Sequence, residues 1–377
     1  MALILCVIVV ALVFEYINGF HDTANSIATV VATKVLTPRQ AVIMAAVTNL
    51  AGALSGAAVA STIGKGLVDV AYVTPATILC GLMGGIAWNL LTWWKGLPSS
   101  SSHALIGGLV GSTLAAADNN WKVIKFLETK TKTISVIDPT TGASVAQTVT
   151  EQSGLMPKVI IPMFTSPILG ILIGFAVMGL LYVLLRNWRP RRVNSVFGKA
   201  QLLSSAWMGF SHGLNDAQKT MGIIALALVA ATSSGAFDHL PSMLHFLRSP
   251  ATGADQGLHV PAWIKVVCAM TMAAGTYAGG WRIIKTLGHK MVKLHPVHGF
   301  AAETTAATII GVASHWGIPL STTHVISSAI MGVGAAKSVR AVKWFVVERM
   351  LWAWIFTIPV TAGMGYGFVR MLKMFGA

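Results

Sequence analysis

Long apolar runs constrain the fold of this chain more than any other feature. A helix needs roughly 18 or more predominantly apolar residues to cross a bilayer, and runs of this kind recur along the sequence. Only 10% of the residues are charged, against about 25% in a typical soluble domain, and the mean hydropathy is +0.70. We therefore expect an all-α, multi-pass protein of the cell inner membrane. The clearest runs are 1–20, 41–62, 159–185, 260–281 and 343–369.

The basic residues and the cysteines argue against two classes of function. The formal net charge is +15, but Lys and Arg lie mainly in short loops, where they orient a membrane protein rather than bind nucleic acid. The three cysteines, Cys6, Cys80 and Cys268, lie in apolar stretches without a Cys-x-x-Cys spacing. Neither a disulfide nor a metal site is predicted. The lack of a phosphate-binding loop argues against ATP as the energy source.

Two motifs each occur twice, which indicates an internal repeat. "NGFHDTANSIAT" matches "HGLNDAQKTMGI" and aligns Asp22 with Asp216, an offset of 216 − 22 = 194 positions. "GLPSSSSH" matches "GIPLSTTH" and aligns His103 with His324, an offset of 324 − 103 = 221 positions. The second copy therefore has 27 more residues between its motifs, and the polar segment 232–260 has room for them.

We predict two transmembrane repeats, 1–185 and 200–377, joined by a basic cytoplasmic linker at 186–199. The positive-inside rule places the basic linker in the cytoplasm, so the second repeat starts inside. Tracing the segments back from the linker puts the start of the first repeat outside, and the two repeats are therefore inverted. Segment 76–117 then enters and leaves at the outer face as a re-entrant helical hairpin with the Ser run at its tip. The outer loop alternates around a "DPTTG" turn at 129–151, which predicts a small β-hairpin.

The hydroxyl runs predict an oxyanion site. Pro98 and Pro319 suit the first turn of a helix, so each run marks a helix that begins inside a hydrophobic segment. Such a helix leaves its first N–H groups unpaired at the positive end of its dipole, which favours an anion. The alternative is that the hydroxyls only cap or pack helices, but their repetition at one spacing favours an anion site. The candidate ligands are Ser100, Ser101, Ser102, Ser321, Thr322 and Thr323.

The other motif predicts a cation site. An ionisable residue inside a membrane span is costly and by default indicates function. Asp22 and Asn25 lie three residues apart on one helical face, as do their counterparts in the second copy. The neighbouring Gly19 and Gly213 permit a local helix break that would expose carbonyl oxygens to a small cation. A carboxylate close to an oxyanion favours a bound proton or cation, which would couple the two ligands.

Several polar residues leave alternatives open. His21, which is equivalent to Asn215, either carries a proton or only donates a hydrogen bond. Lys219 either contacts the anion or neutralises Asp216. The two histidines that end the hydroxyl runs either belong to the site or bond a neighbouring segment, and two glutamates either belong to a cation path or pair with a basic neighbour. These four residues are His103, His324, Glu15 and Glu303.

The four motif copies together resemble the inorganic phosphate transporter (PiT) family. Its signature Gly-x-Asn/His-Asp-x-x-Asn is matched by "GFHDTAN" and more loosely by "GLNDAQK", and its Pro-x-Ser-[Ser/Thr]-[Ser/Thr]-His element by "PSSSSH" and "PLSTTH". The resemblance covers nearly the whole chain in order. "NGFHDTAN", "SHGLNDAQK" and "ATGADQ" are most similar to the bacterial low-affinity branch.

This resemblance implies an inverted-repeat secondary transporter, homodimeric, that imports phosphate, free or as a metal–phosphate complex, together with a cation. We therefore predict a symporter rather than an enzyme, with phosphate and the lipid bilayer as partners and no cofactor beyond the coupling cation. A sulfate permease on the same scaffold and a passive anion channel are the alternatives. A phosphoryl-transfer enzyme is disfavoured because the motifs lack a nucleophile, base and orienting group.

The resemblance also assigns roles by position. Asp22 and Asp216 would couple the cation, with His21 beside the first of them. His21 stands where sodium-driven members typically have Asn, which favours H⁺ over Na⁺ as the coupling ion. Lys219 stands where the family pattern has Asn. The residues implied for phosphate are Asn25, Gln218 and the two hydroxyl runs.

Overall fold

The computed structural model describes residues 2–137, 144–249 and 258–375. These residues form a helical protein with one β-hairpin, as the sequence predicts. The helices are α1 (Ala2–Ala32), α2 (Pro38–Leu54), α3 (Ala58–Lys65), α4 (Pro75–Lys95), α5 (Ser101–Ala116), α6 (Ile161–Leu184), α7 (Pro190–Ser233), α8 (Ala262–Ala278), α9 (Trp281–Lys285), α10 (Pro296–His315), α11 (Thr322–Lys337) and α12 (Trp344–Met374). The strands are β1 (Glu128–Ile137) and β2 (Ser144–Ser153).

Among the described residues, four helical segments are long and apolar enough to cross a membrane on their own. They are Ala2–Ala32, Pro75–Lys95, Met156–Leu184 and Trp344–Met374. Two of the predicted runs are instead broken helices. The run at 41–62 becomes α2 and α3, which meet at an angle of 72°. The run at 260–281 becomes α8 and α9, which Gly279 and Gly280 separate. A multi-pass membrane protein is thus confirmed.

The helix break expected at the Asp motifs is wrong, because α1 and α7 run through both motifs without interruption. The glycines there serve close packing instead. A β-carbon on Gly19 would overlap the carbonyl oxygen of Met272 in α8, and one on Gly213 would overlap the carbonyl oxygen of Asn49 in α2. These glycines therefore bring α1 against α8 and α7 against α2.

Both hydroxyl runs lie at the tips of helical hairpins, α4–α5 and α10–α11. Gly96 and Gly317, which occupy equivalent positions, both have φ of 64°, a left-handed conformation that Gly adopts without steric cost and that turns the chain. The sequence places Pro98 and Pro319 in the first turns of the second arms, and this prediction is wrong, because α5 and α11 start three residues beyond them. Instead Ser100 and Ser321 are the N-caps, because each hydroxyl accepts the N–H of the histidine three residues later.

The predicted β-hairpin is present, and its location outside the cytoplasm stays a prediction. Strand β1 pairs antiparallel with β2, in a register that sets Glu128 opposite Ser153 and Ile137 opposite Ser144. The DPTTG turn itself, 138–142, lies outside the described residues. The segment 251–256, which contributes to the resemblance to the bacterial branch, also lies outside them.

The helix contacts are paired between the two halves of the chain. α5 packs against α12 as α11 packs against α6, and α1 packs against α8 as α2 packs against α7. Gly111 and Gly332 are equivalent by the 221-residue offset. A β-carbon on Gly111 would overlap the carbonyl oxygen of Ala362 in α12, and one on Gly332 would overlap that of Ile171 in α6. Small residues at these crossings allow the backbones to approach closely.

Replacing Gly111 with Ala is expected to lower the free energy of unfolding by about 1–3 kcal/mol, because overpacking forces the two backbones apart. Gly179→Ala is the matched control, since its added methyl would meet no atom within 4 Å. Thermal unfolding of the purified variants in detergent checks the difference. Equal melting temperatures for the two variants would contradict the packing account.

The helices that carry the Asp motifs, α1 and α7, contact each other in opposite chain order. Glu15 accepts a hydrogen bond from Thr220, whereas Thr33 Oγ1 donates to Gln201 Oε1 at 2.8 Å. Positions later in α1 therefore meet positions earlier in α7. The linker predicted at 186–199 is helical from Pro190 onward, since proline suits the first position of α7. The division of the chain into two inverted repeats stays a prediction.

Candidate transport site

The Asp motifs and the hydroxyl runs meet at one place inside the protein. The middles of α1 and α7 supply the aspartates, and the first turns of α5 and α11 supply the hydroxyls. Each of these side chains is almost fully buried. The buried predicted residues are His21, Asp22, Asn25, Ser100, Ser101, Ser102, His103, Asn215, Asp216, Gln218, Lys219, Ser321, Thr322, Thr323 and His324.

Asp22 is bonded by its own motif and by the first hairpin. Its Oδ1 lies 2.7 Å from His21 Nδ1, and its Oδ2 lies 2.6 Å from Ser101 Oγ. The same serine oxygen lies 2.7 Å from Asn18 Oδ1. Thr323 of the second hairpin donates to Asp22 Oδ1 over a longer distance of 3.4 Å. Both hairpins therefore reach this carboxylate.

Asp216 has an equivalent environment in the second half. Thr322 Oγ1, the counterpart of Ser101, donates to Asp216 Oδ2 at 2.9 Å. His212 Nε2 also lies 2.9 Å from Asp216 Oδ2. Lys219 donates to the other carboxyl oxygen, Oδ1. Each aspartate thus bonds the first hydroxyl of the helix that begins in its own half.

The third position after each aspartate bonds the opposite hairpin. Asn25 Nδ2 donates to Thr322 Oγ1 at 3.1 Å and to Thr323 Oγ1 at 2.9 Å. Lys219 Nζ donates to Ser102 Oγ and to the carbonyl oxygen of Leu320 at 2.9 Å. These contacts connect α1 with α11 and α7 with α5.

The starts of α5 and α11 face each other. Ser102 Oγ lies 3.4 Å from the carbonyl oxygen of Leu320, and the rings of His103 and His324 pack edge to face with centroids 4.8 Å apart. The ring of His324 also stacks on Trp354, 4.0 Å between centroids. The histidines therefore contact each other across the two halves rather than the aspartates.

The first-turn N–H groups of these two helices are available to a ligand. Within the described ranges, no backbone or side-chain acceptor pairs with the N–H groups of Ser101, Ser102, Thr322 or Thr323. Such groups lie at the positive ends of the helix dipoles and suit an oxyanion. The hydroxyls beside them can rotate to donate to the same ligand.

Two predicted residues lie apart from this cluster. Gln218 Oε1 accepts the backbone N–H of Val59 at 2.8 Å, and its amide donates to Leu214, so it caps the start of α3 after the bend. Asn215 donates to Ser314 Oγ at 2.8 Å and to the carbonyl oxygen of Ile318 at 3.2 Å. By position in the repeated motifs, Gln218 is expected at the phosphate site and Asn215 at the cation site. In the structure the side chain of Gln218 bonds α3 and that of Asn215 bonds the second hairpin.

Glu15 and Glu303 are buried at separate levels of the α1–α7 pair. Glu15 accepts a hydrogen bond from Thr220. Glu303 lies among four uncharged donors, which are Thr29, Gln201, Ser204 and Ser205. Within the described part of the chain no Lys or Arg pairs with either carboxyl group. The alternative that Glu15 and Glu303 pair with a basic neighbour is therefore wrong for the described residues.

Replacing Glu303 with Gln is expected to lower the free energy of unfolding by about 1–3 kcal/mol, because an amide N–H₂ would then face groups that now donate to a carboxylate oxygen. The exposed Thr308→Val is the control on the same helix, since Thr308 Oγ1 bonds only its own helix at Thr304. Thermal unfolding measures both variants. A Gln variant as stable as wild type would show that the four donors do not need the carboxylate.

His212 is a site residue that the sequence analysis missed. It occupies the position equivalent to Asn18, four residues before Asp216 and so on the same helical face, and this spacing is the signal that could have found it. Its Nδ1 lies 3.1 Å from Asn49 Oδ1, which orients the ring. No metal site was predicted, yet ligand atoms of Asp22, His212 and Asp216 lie within 4.8 Å of one another. Two carboxylates and an imidazole are a ligand set that a cation can use.

Comparison with known proteins decides which family has this arrangement. A family profile described as "Phosphate transporter family" matches residues 18–191 and 183–365. The chain belongs to the phosphate transporter family. The family is one of transporters, so the chain is a transporter and not an enzyme. The two matched ranges contain one copy of each motif, and together they include both aspartates and both hydroxyl runs.

Similar members of the phosphate transporter family extend over nearly the full chain. A "Probable low-affinity inorganic phosphate transporter" of Bacillus subtilis is 39% identical over 96% of this chain and 95% of its own length. Proteins with the same description are 40% identical in Mycobacterium bovis, over 98% of this chain and 78% of the relative, and in Rhizobium meliloti, over 96% and 93%. The resemblance to the bacterial low-affinity branch is confirmed.

A solved structure has the same fold. The protein described as "The sodium-dependent phosphate transporter" superposes with a TM-score of 0.77, covering 99% of this chain and all of the other, at 23% sequence identity. This likeness supports the polytopic helical fold with broken helices and hairpins. The coupling ion of the present chain is a separate question, which its own residues have to answer.

Proposed function

We propose that this protein imports inorganic phosphate by symport with a cation, through alternating access. The proposal rests on one observation: the first turns of α5 and α11 meet, and each donates a hydrogen bond to a buried aspartate. The relatives named as phosphate transporters support phosphate as the anion. A homodimer, which the family resemblance implies, stays a prediction.

Phosphate would bind between the two helix starts. The unpaired first-turn N–H groups and the hydroxyls of Ser101, Ser102, Thr322 and Thr323 would surround its oxygens from two sides. Helix termini that point at an anion near the membrane midplane are the device by which broken-helix transporters hold anionic substrates. Near neutral pH phosphate carries a proton that a carboxylate such as Asp22 can accept in a hydrogen bond, whereas sulfate carries none, so phosphate should be preferred and sulfate is the competitor to test.

The cation would bind at Asp22. The carboxylate is buried, so an unpaired charge there is costly and a bound proton or metal cation lowers that cost. We favour the proton, because His21 Nδ1 lies 2.7 Å from Asp22 Oδ1 and the pair can share one. Sodium is the alternative, since carboxylate and hydroxyl oxygens also suit that ion, and Asp22 with His212 and Asp216 could contact the metal of a metal–phosphate complex.

The cation and the anion would bind cooperatively because they neutralise each other inside the membrane. The free aspartates repel phosphate, and a cation beside Asp22 removes that repulsion. The hairpins, the bent pair α2–α3 and the interrupted pair α8–α9 pack against α1 or α7, and we expect these elements to move around the cluster. Uptake driven by a cation gradient follows from this linkage.

Uptake of radiolabelled phosphate into proteoliposomes tests the proposal. A proton gradient and a sodium gradient are imposed in separate experiments, each with and without excess unlabelled sulfate. The expected result is concentrative uptake driven by the proton gradient and unaffected by sulfate. No uptake under either gradient would contradict symport, and uptake abolished by sulfate would assign the protein to sulfate instead.

A further inference from the structure

We propose that Lys219 is a built-in cation that occupies one of two equivalent cation positions, so that this protein couples transport to one exchangeable cation, at Asp22. The proposal rests on the proposed symport function and goes beyond it, because it assigns the coupling stoichiometry to a single side chain. It is carried by the contacts of Lys219 and by a comparison with its counterpart, Asn25.

The ammonium group of Lys219 has the ligands of a bound cation. It donates to Asp216 Oδ1, to Ser102 Oγ and to the carbonyl oxygen of Leu320. A carboxylate, a hydroxyl and a carbonyl are the oxygen donors that hold small monovalent cations in broken-helix transporters. The side chain is buried, and the three protons of its ammonium group are all used by these oxygens. Lys219 therefore has no donor left for phosphate.

The position equivalent to Lys219 in the first half is Asn25, by the 194-residue offset. The carboxylate and the hydroxyl are conserved between the two positions, since Asp22 corresponds to Asp216 and Thr323 corresponds to Ser102. Thr323 Oγ1 lies 3.4 Å from Asp22 Oδ1, so this oxygen pair is also in place. What differs is that the first half has a short, uncharged amide where the second half has a long, charged ammonium.

Asn25 also presents an unused ligand atom. Its Nδ2 bonds the hydroxyls of Thr322 and Thr323, while its Oδ1 is buried and has no hydrogen-bond partner among the described residues. A buried carbonyl oxygen without a partner is costly unless a ligand completes its coordination. With Asp22 Oδ1 and Thr323 Oγ1 it provides three oxygens for an exchangeable cation.

The charge balance gives the same stoichiometry. Asp22 and Asp216 contribute two negative charges to the cluster and Lys219 contributes one positive charge. The cluster therefore has one uncompensated negative charge, which one cation neutralises before an oxyanion can bind. With an amide at both positions, two exchangeable cations would be needed. The Lys side chain thus replaces one transported ion.

The test is the exchange of the two residues. Lys219→Asn restores the amide of the first half, and its phosphate uptake in proteoliposomes is expected to rise with the square of the coupling-cation concentration below saturation, where wild type rises in direct proportion. Asn25→Lys is expected to make phosphate uptake independent of the cation gradient. Lys122→Asn, which removes an exposed lysine outside the cluster, is the control and should behave as wild type.

Equilibrium binding to purified protein provides a second readout that does not need transport. Radiolabelled sodium binding and proton uptake on addition of phosphate at constant pH are measured separately, and Lys219→Asn is expected to bind one more cation per chain than wild type. Its melting temperature should also rise more steeply with the concentration of that cation, because binding stabilises the folded state.

Three outcomes would overturn the proposal. Lys219→Asn with an unchanged cation order and a weakened apparent affinity for phosphate would make Lys219 a phosphate ligand. Lys219→Asn that binds no additional cation would remove the second position. If Lys219→Asn does not fold, the wild-type protein alone decides. Wild-type phosphate uptake that rises with the square of the cation concentration would contradict a single exchangeable site. Failure of the symport function itself is seen separately, as wild-type protein without gradient-driven uptake.

Discussion

Asp22→Asn is expected to abolish concentrative phosphate uptake, with a loss of roughly 100-fold in the gradient-driven rate, which is within the usual range of coupling free energies. The amide keeps the volume of the side chain but removes the charge that attracts the cation. Its contacts with His21 and Ser101 can be retained in part, so the variant should fold. Proteoliposome uptake under a proton gradient measures the effect.

Asp118→Asn is the control for this result. Asp118 is an exposed carboxylate that follows the C-terminal end of α5, at the opposite end of the helix from its hydroxyl run, and it pairs with Lys373 at 2.8 Å. Its replacement should leave uptake unchanged. Gradient-driven accumulation by Asp22→Asn at the wild-type level would show that Asp22 does not couple the cation.

The double variant Ser101→Ala with Thr322→Ala is expected to weaken phosphate binding by roughly 100-fold or more, since hydrogen bonds to a charged group contribute about 1.5–3 kcal/mol each and about 1.4 kcal/mol is tenfold. Both hydroxyls belong to the first residues of their helices and donate to the aspartates. Each can rotate to donate to the anion instead, so the double variant loses one donor on each side of it. The apparent KM for phosphate should rise, and thermal unfolding reports separately the stability lost with the bonds to the buried aspartates. Initial rates at varied phosphate concentration measure it.

Ser112→Ala is the matched control on α5, because Ser112 Oγ donates only to Leu109 of its own helix. It should leave the KM for phosphate unchanged. A double variant with the wild-type KM would show that the hydroxyl runs only cap and pack helices, which is the alternative that the sequence left open. Ser100 and Ser321 already have that capping role.

The sequence predicts much of the candidate site because each of its two motifs occurs twice in the chain. The repeated Asp and hydroxyl motifs identify the elements that meet, and the traced segments predict a helical hairpin at 76–117. The turns at Gly96 and Gly317 are seen only in the structure. The β-hairpin follows from its local pattern and turn residues. In each case the information lies in residues close together in the chain, or in the comparison of one copy with the other.

The features that could not be predicted depend on contacts between distant segments. The family resemblance implies that Gln218 lines the phosphate site, but its Oε1 accepts the N–H of Val59 across the bend between α2 and α3. The surroundings of Glu303 come from α1 and α7, which no local pattern places beside α10. Gly19 and Gly213 permit a helix break, and only the tertiary structure shows that they instead admit another helix.

The most direct test of the central claim is to locate a tetrahedral oxyanion in the protein. Crystals grown with arsenate, a phosphate analogue with an anomalous signal, would be used for this purpose. We predict an arsenic peak within hydrogen-bond distance of the first-turn N–H groups of both α5 and α11, beside Ser101 and Thr322. A peak at another place, or none at an arsenate concentration that inhibits phosphate uptake, would contradict the claim that the two helix starts form one anion site.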